Sequence, residues 1–305
     1  VAANSIEVER FTKKYGDFAA VDDISFSVQE GSIFAFLGPN GAGKSTTINT
    51  LCTIQDKTGG TLRINGNDVT ERKAEVRRDI GIVFQECTLD QKLTVRENLN
   101  LHCDFYDVPK AEVKERIRFV LDLVDIEEWK DAPVSALSGG LKRRTEIARG
   151  LVHYPKVLFL DEPTTGLDPQ TRASVWEYIR ELQKRKNITI FLTTHYLEEA
   201  EICDSVAIID HGKIVAHDTP YNLKKQNTKT RTRIATSDPA GILRYCAEHS
   251  LAAVGENGGL AITSTEIGPV MDLVALFKSS ILDLEISKGT LDDVFLSLTG
   301  KEIRN

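Results

Sequence analysis

The stretch GPNGAGKST, Gly38 to Thr46, has the residue types and spacing that grip a polyphosphate. Gly38, Gly41 and Gly43 permit backbone angles that aim successive N–H groups at β- and γ-phosphates, with Pro39, Asn40 and Ala42 between them. Lys44 adds a point charge, and the Ser45 hydroxyl, beside Thr46, is a ligand for Mg2+. Further on, VLFLDEP ends an apolar strand in Asp161, where a carboxylate is costly unless a cation pairs with it. Mg2+ is the natural partner there, with a helix cap or surface acid as the alternative. Glu162 comes next and points the other way. It is placed to take the proton of a water attacking the γ-phosphate, or only to tune the local potential. His195, in TTHYLEEA, closes another strand on the same sheet edge and is expected at the γ-phosphate. Gln85, in IVFQE, could orient Mg2+ or the attacking water. Tyr15, before the turn YGDF, offers a ring to stack on a purine, with core packing as its rival role. No N-K-x-D base-reading motif occurs, so adenine is the expected base.

A second phosphate-type turn stands roughly a hundred residues on, in LSGGLKRR, where Leu137 leads into Ser138, Gly139 and Gly140. A serine N-cap followed by two glycines leaves backbone donors open to an anion arriving from outside. One nucleotide needs only one such loop. The turn is therefore either an ordinary capped helix start or a contact for some other phosphate. Lys142, Arg143 and Arg144 follow it and are expected to face carboxylates or solvent.

These residues need a scaffold that brings strand ends together. IEVERFTKKY and ISFSVQEGSIFAFLG read as strands with a turn at Glu30-Gly31, and a helix follows Lys44. GTLRINGNDV reads as a hairpin around Asn65-Gly66. From Thr94 to His153 the pattern turns helical. Thr94 and Glu97 have capping-box spacing, and Val113, Ile117, Val120, Leu121 and Val124 recur at helical intervals. A helix from about Gly139 must stop before Pro155. KVLFLDEP and ITIFLTTH are buried strands separated by the helix TRASVWEYIRELQKR, and SVAIIDHGKIVAHD is a closing hairpin. Strands alternating with crossover helices imply an α/β fold with a mostly parallel sheet. Beyond Pro220, YNLKKQNTKTRTR reads as a polar, basic linker. The rest reads in the order β-α-β-β-α-β, with a Gly-rich turn at Gly255–Gly259; this is either a generic α+β appendage or a ferredoxin-like unit. A last helix has Thr290 and Asp293 in capping places and Gly300 as its stop.

The whole sequence has 305 residues, 41% hydrophobic and 27% charged, which suits a soluble globular chain of two domains. A net charge of −7 gives no support for a nucleic-acid surface. The apolar runs are strand-sized, well short of the roughly 18 residues of a membrane span. Cys52, Cys87, Cys103, Cys203 and Cys246 form no CxxC and are expected to be reduced thiols in a cytosolic chain.

Taken in order, Tyr15, Gly38–Thr46, Gln85, Leu137–Gly140, Asp161-Glu162, Gly166–Asp168 and His195 resemble the motifs of the ATP-binding subunits of ABC transporters. The resemblance runs from Ile6 to about Pro220. It implies an ABC-type P-loop core at 1–220 with an antiparallel β subdomain and a helical subdomain at about 88–153, followed by an α+β accessory domain at 221–305. It implies ATP and Mg2+, with Ser45, Gln85 and Asp161 toward the metal. Two copies, or one copy and a closely related second subunit, pair head to tail. Ser138, Gly139 and Gly140 of one then cap the γ-phosphate held by Lys44 of the other, with Asp168 also at the nucleotide. Leu141 departs from the usual glutamine. The sequence LSGGLKRR and the ending GTLDDVFLSLTGK, Gly289 to Lys301, are similar to the daunorubicin-type drug-resistance exporter branch. That implies export of a hydrophobic, drug-like or lipid-like substrate through a separate membrane permease. The chain would sit at the inner face of the cell membrane, with no nucleic-acid partner. A soluble non-transport ATPase and an importer ATPase are the alternatives.

Overall fold

The structure, a computed structural model, describes residues 3–256 and 259–301. By internal contacts the chain divides into two compact units, Val1–Asp218 and Thr219–Arg304.

In chain order the first unit comprises β1 (Asn4–Tyr15), β2 (Phe18–Gln29), β3 (Ile33–Leu37), α1 (Lys44–Leu51), β4 (Gly59–Ile64) and β5 (Asn67–Asp68). Then come α2 (Lys73–Asp79), β6 (Ile80–Val83), α3 (Val95–Phe105), α4 (Lys110–Leu123), α5 (Gly139–Leu151) and β7 (Val157–Asp161). It closes with α6 (Pro169–Lys186), β8 (Thr189–Thr194), α7 (Leu197–Ala200), β9 (Ser205–Asp210) and β10 (Lys213–Asp218). The strands form two sheets. An antiparallel one runs β2-β1-β4-β5, and a six-stranded one runs β10-β9-β3-β8-β7-β6, parallel except for β10.

Strands β3, β7 and β8 are buried at every residue. That is why they read as unbroken apolar runs rather than alternating ones. Phe26 of the antiparallel sheet stacks on Phe34 at 5.4 Å between ring centroids, and Phe191 packs on Phe34 at 5.2 Å, so one aromatic core serves both sheets. The Asn65-Gly66 hairpin forms as its sequence requires, with both residues at positive φ, 47° and 78°. In the helical insertion, Thr94 and Glu97 make the reciprocal capping box, and α5 ends at Leu151, short of Pro155. Helices α2 and α7 carry too little apolar periodicity to read from sequence; α2 buries only Val76.

The second unit comprises α8 (Pro220–Asn227), β11 (Thr230–Thr236), α9 (Pro239–Glu248), β12 (Ala252–Glu256), β13 (Gly259–Ser264), α10 (Gly268–Leu276), β14 (Ile281–Ser287) and α11 (Leu291–Thr299). Its sheet order is β12-β13-β11-β14 with every pairing antiparallel, the arrangement of a split β-α-β unit. Ile234, Ile242, Cys246, Leu260, Ile262 and Leu273 form its core. The centre of the expected Gly255–Gly259 turn, 257 and 258, lies outside the described residues. The expected linker after Pro220 is instead the helix α8. Thr219 caps it, Pro220 fixes φ at its first turn, and it packs against α11 with Leu223 buried. Its polar, basic composition reflects an amphipathic helix with one thin apolar edge. Thr290 and Asp293 cap α11 reciprocally, and Gly300 ends it at φ 71°. Among the described residues no helix is long and apolar enough to cross a membrane.

Candidate active site

The phosphate loop spans the gap between β3 and α1. Its glycines are required for different reasons. A Cβ at Gly38 would lie 2.3 Å from the Ile209 carbonyl, and one at Gly43 would lie 2.7 Å from that of Ala20. Gly41 has open space around it but φ +81°. Backbone hydrogen bonds from Gly212 to Ala42 (3.0 Å), Ala42 to Pro39 (3.2 Å) and Gly38 to Thr194 (3.2 Å) brace the loop. Above it lies a cavity of about 540 Å³ lined by Tyr15, Phe18, Ala20, Asn40, Gly41, Gly43, Lys44, Ser45, Thr46, Gln85 and Glu162.

Lys44, 4% exposed, donates to the carbonyls of Gly38 (2.8 Å) and Pro39 (3.2 Å) and lies 3.3 Å from Glu162 Oε1. Burial pulls its pKa down, against the opposing pull of Glu162. Around Glu162 the other oxygen, Oε2, meets Gln85 Nε2 at 3.2 Å, Thr165 Oγ1 at 3.2 Å and His195 Nδ1 at 3.3 Å. Burial pushes the Glu162 carboxyl up, but Lys44 and then His195 outweigh it and hold it below its usual range. Asp161 goes the other way: burial raises it, with a hydrogen bond from Thr193 Oγ1 (2.5 Å) only partly offsetting. Glu162 itself has φ 45°, a left-handed conformation rare for a non-glycine residue. This turn is what sends neighbouring carboxyls in different directions.

These features fit Mg-nucleotide. The Ser45 side chain is exposed toward the cavity, Asp161 is a buried carboxylate of raised pKa, and His195 Nδ1 is buried without an aligned hydrogen-bond partner. A polyphosphate would give His195 an aligned acceptor, and a divalent ion would place positive charge beside Asp161.

Tyr15 stands at the cavity rim, 47% exposed. Its hydroxyl bonds Gln55 Oε1 at 2.5 Å and Lys13 Nζ lies 5.0 Å from its ring centre. Phe18, its partner across the hairpin, is more exposed still, at 66%, and lines the same cavity. Sequence reading missed Phe18; the signal was its place opposite Tyr15 across a two-residue turn. Also missed was Glu199, buried in α7, which accepts hydrogen bonds from Thr164 and from Thr194 Oγ1 and so ties the segment after Glu162 to the end of β8.

Ser138, Gly139 and Gly140 do not line this cavity. Leu137 is buried beneath them, while Ser138 caps α5 by accepting from the Leu141 N–H at 3.3 Å and stays exposed with Gly139. A Cβ on Gly139 would meet nothing within 4 Å; one on Gly140 would come within 2.7 Å of Thr171 Cγ2. Asp168, likewise outside the cavity, caps α6 through the N–H groups of Gln170 (3.1 Å) and Thr171 (3.0 Å). One chain thus presents a complete phosphate loop and, facing elsewhere, a second anion-ready helix start.

Fold and loop together define a P-loop nucleotide-binding protein. A family profile described as "ABC transporter" matches residues 21–165. The Nod factor export ATP-binding protein I of Ralstonia nicotianae is 38% identical over 98% of this chain and 95% of its own length. The daunorubicin resistance ATP-binding protein DrrA2 of Streptomyces coeruleorubidus is 35% identical over 99% and 97%. Among solved structures, cbiO1 of Clostridium perfringens, part of the ABC transporter complex cbiONQ, superposes with TM-score 0.68 at 32% identity over 72% of this chain and 90% of its own. An ATP-binding cassette solved as a dimer in a post-hydrolysis state with ADP and Pi gives 0.63 at 26% over 70% and 98%. The chain belongs to the ATP-binding subunits of ABC transporters, and it is an ATPase.

Proposed function

We propose that this chain powers the export of a drug-like or lipid-like compound through a separate membrane-spanning partner, working as a head-to-tail pair of cassettes. The carrying observation is the pair of anion-ready turns in one chain, of which only Gly38–Thr46 lines the nucleotide cavity. A two-fold arrangement lets the turn at Ser138–Gly140 meet the nucleotide of a second copy. Export is supported by the curated relatives, a Nod factor exporter and a daunorubicin resistance protein. They match the whole chain, second unit included, whereas the solved cassettes cover about 70% of it. The partner would dock at the helical insertion and hold the chain at the inner membrane face.

In this reading Lys44 and the loop's N–H groups hold the β- and γ-phosphates, and Tyr15 stacks on adenine. Ser45, Asp161 and Gln85 would hold Mg2+, which neutralises phosphate charge when bound. Glu162 takes the proton of the attacking water, with His195 at the γ-phosphate and Asp168 at the closing face. Closure needs a state that binds ATP better than the open one does, by about 5.5 kcal/mol for a full switch. Two or three charge-assisted hydrogen bonds from Ser138 and Gly139, at about 1.5–3 kcal/mol each, are of that order.

Mixing two dead variants tests the pairing. Lys44→Ala lacks a phosphate grip and Ser138→Arg lacks the cross-chain cap, so each alone is expected to be inactive. A mixed pair contains one site with both elements native. An equimolar mixture should recover about a quarter of native ATPase activity, by random pairing of two-site dimers. Failure to recover any activity would sink the cross-chain reading.

A further inference from the structure

We propose that Arg143, paired with Glu146, is a positioning residue that locks the Gln85 segment and the backbone of Glu162 to α5, the helix that opens with the Ser138–Gly140 turn. Both residues lie on α5 just behind Ser138–Gly140, and both are buried, 6% and 2% exposed. Arg143 donates from Nε to the Pro163 carbonyl (2.7 Å) and from Nη1 to that of Phe84 (2.5 Å) and to Glu146 Oε2 (3.1 Å). Its Nη2 reaches the carbonyls of Asp161 (3.3 Å) and Glu162 (3.4 Å). The other Glu146 oxygen accepts the Thr88 N–H at 2.9 Å. Phe84 and Thr88 bracket Gln85, and the carbonyls of 161, 162 and 163 surround Glu162.

A buried ion pair is a poor source of stability compared with apolar side chains of like volume. Its value here is geometric. A planar guanidinium fork fixes several acceptors at set angles, which an ammonium does not. The constraint falls on a residue that needs it, because Glu162 at φ 45° keeps that conformation only where its surroundings enforce it. When the N-terminal turn of α5 engages an anion, the same rigid helix passes the displacement to Gln85 and Glu162 of its own chain. The proposal rests on the roles given above to Glu162 and to the cross-chain turn.

The test compares full-length Arg143→Lys, the double variant Arg143→Met with Glu146→Met, and Glu162→Gln. For the first two, kcat should fall about tenfold or more, as misplacement of a reacting group by a fraction of an ångström does. KM and calorimetric ATP affinity should stay within about twofold, because the P-loop is untouched. The double variant should melt no lower than the native chain, having lost both buried charges together. Native kcat in either variant overturns the proposal. So does ATP affinity falling in step with kcat, or a failure to fold, since each assigns the pair to stability alone. If Glu162→Gln is inactive while Arg143→Lys turns over normally, only the positioning role fails. If Glu162→Gln itself hydrolyses at the native rate, the underlying reading of Glu162 fails instead.

Discussion

Asp161 and Glu162 are adjacent in the chain and equally hidden from solvent, yet their carboxyl groups are driven in opposite directions. Asp161 lies above its ordinary value of 3.8 because burial dominates. Its ionised form therefore costs folding free energy at any pH above its folded value, a cost that the divalent ion proposed at this site would relieve. Asp161→Asn in chelator should melt higher than the native chain at neutral pH, by about 2–4 °C for each kcal/mol relieved. The margin should vanish as pH falls below both values, where the native group is protonated too. A native chain that melts as high as the variant at neutral pH would contradict the assignment. Glu162 is the reverse case. Burial is outweighed by Lys44 and His195, so its ionised form stabilises the fold above the ordinary 4.5 and that contribution fades as pH drops through the lower folded value. Glu162→Gln removes the carboxylate that competes with phosphate for Lys44. ATP affinity should hold or tighten while hydrolysis falls about 10²–10⁴-fold, the usual range for a lost general base. Single-turnover assays beside calorimetry would check both.

At the scale of elements, α5 separates what a sequence shows from what it hides. Its capping serine, its glycines and its end before Pro155 were readable because each acts on the local backbone. So were the Asn65-Gly66 hairpin, the Thr94 and Thr290 capping boxes and the strand ends that gather Lys44, Gln85, Glu162 and His195. Arg143 and Glu199 were not, since the contacts that define them reach as far as 59 and 35 residues along the chain and exist only once β6, β7 and β8 are assembled. Helix α8 was missed because an eight-residue segment, mostly polar, that buries only Pro220 and Leu223 looks like a tether. Gly139 and Gly140 give a prediction of their own. Inside the chain Gly139 faces open space, so Gly139→Val should melt within about 4 °C of native, the shift of roughly 1 kcal/mol. It should bind ATP normally, yet lose ATP-driven dimerisation, measured by light scattering; unchanged dimerisation would show that nothing outside the chain needs this glycine. Gly140→Ala differs. It displaces Thr171 and should lower stability by about 1–3 kcal/mol, as overpacking does.

For the whole molecule, the place of α8 sets where the chain can be cut. Its leucine, Leu223, is 2% exposed and it packs on α11 within the second unit. We propose a boundary between Asp218 and Thr219. Ending the chain at Asp218 should leave ATP affinity within about twofold of native, the P-loop's supports all lying before that point. Ending it at Lys225 strands α8 with its apolar edge bare, and that product should aggregate in gel filtration. Equal behaviour of the two truncations would show the boundary to be misplaced. The bracing of Ala42 by Gly212, and of Gly212 in turn by Asp22, has a different reach. On the roles proposed above, a cradle held this firmly keeps one shape around spent and fresh nucleotide, so its frame is a poor judge between them. In that reading discrimination falls to the groups that meet the terminal phosphate, and the turnover cycle takes its direction from those contacts rather than from the rigidity of the frame.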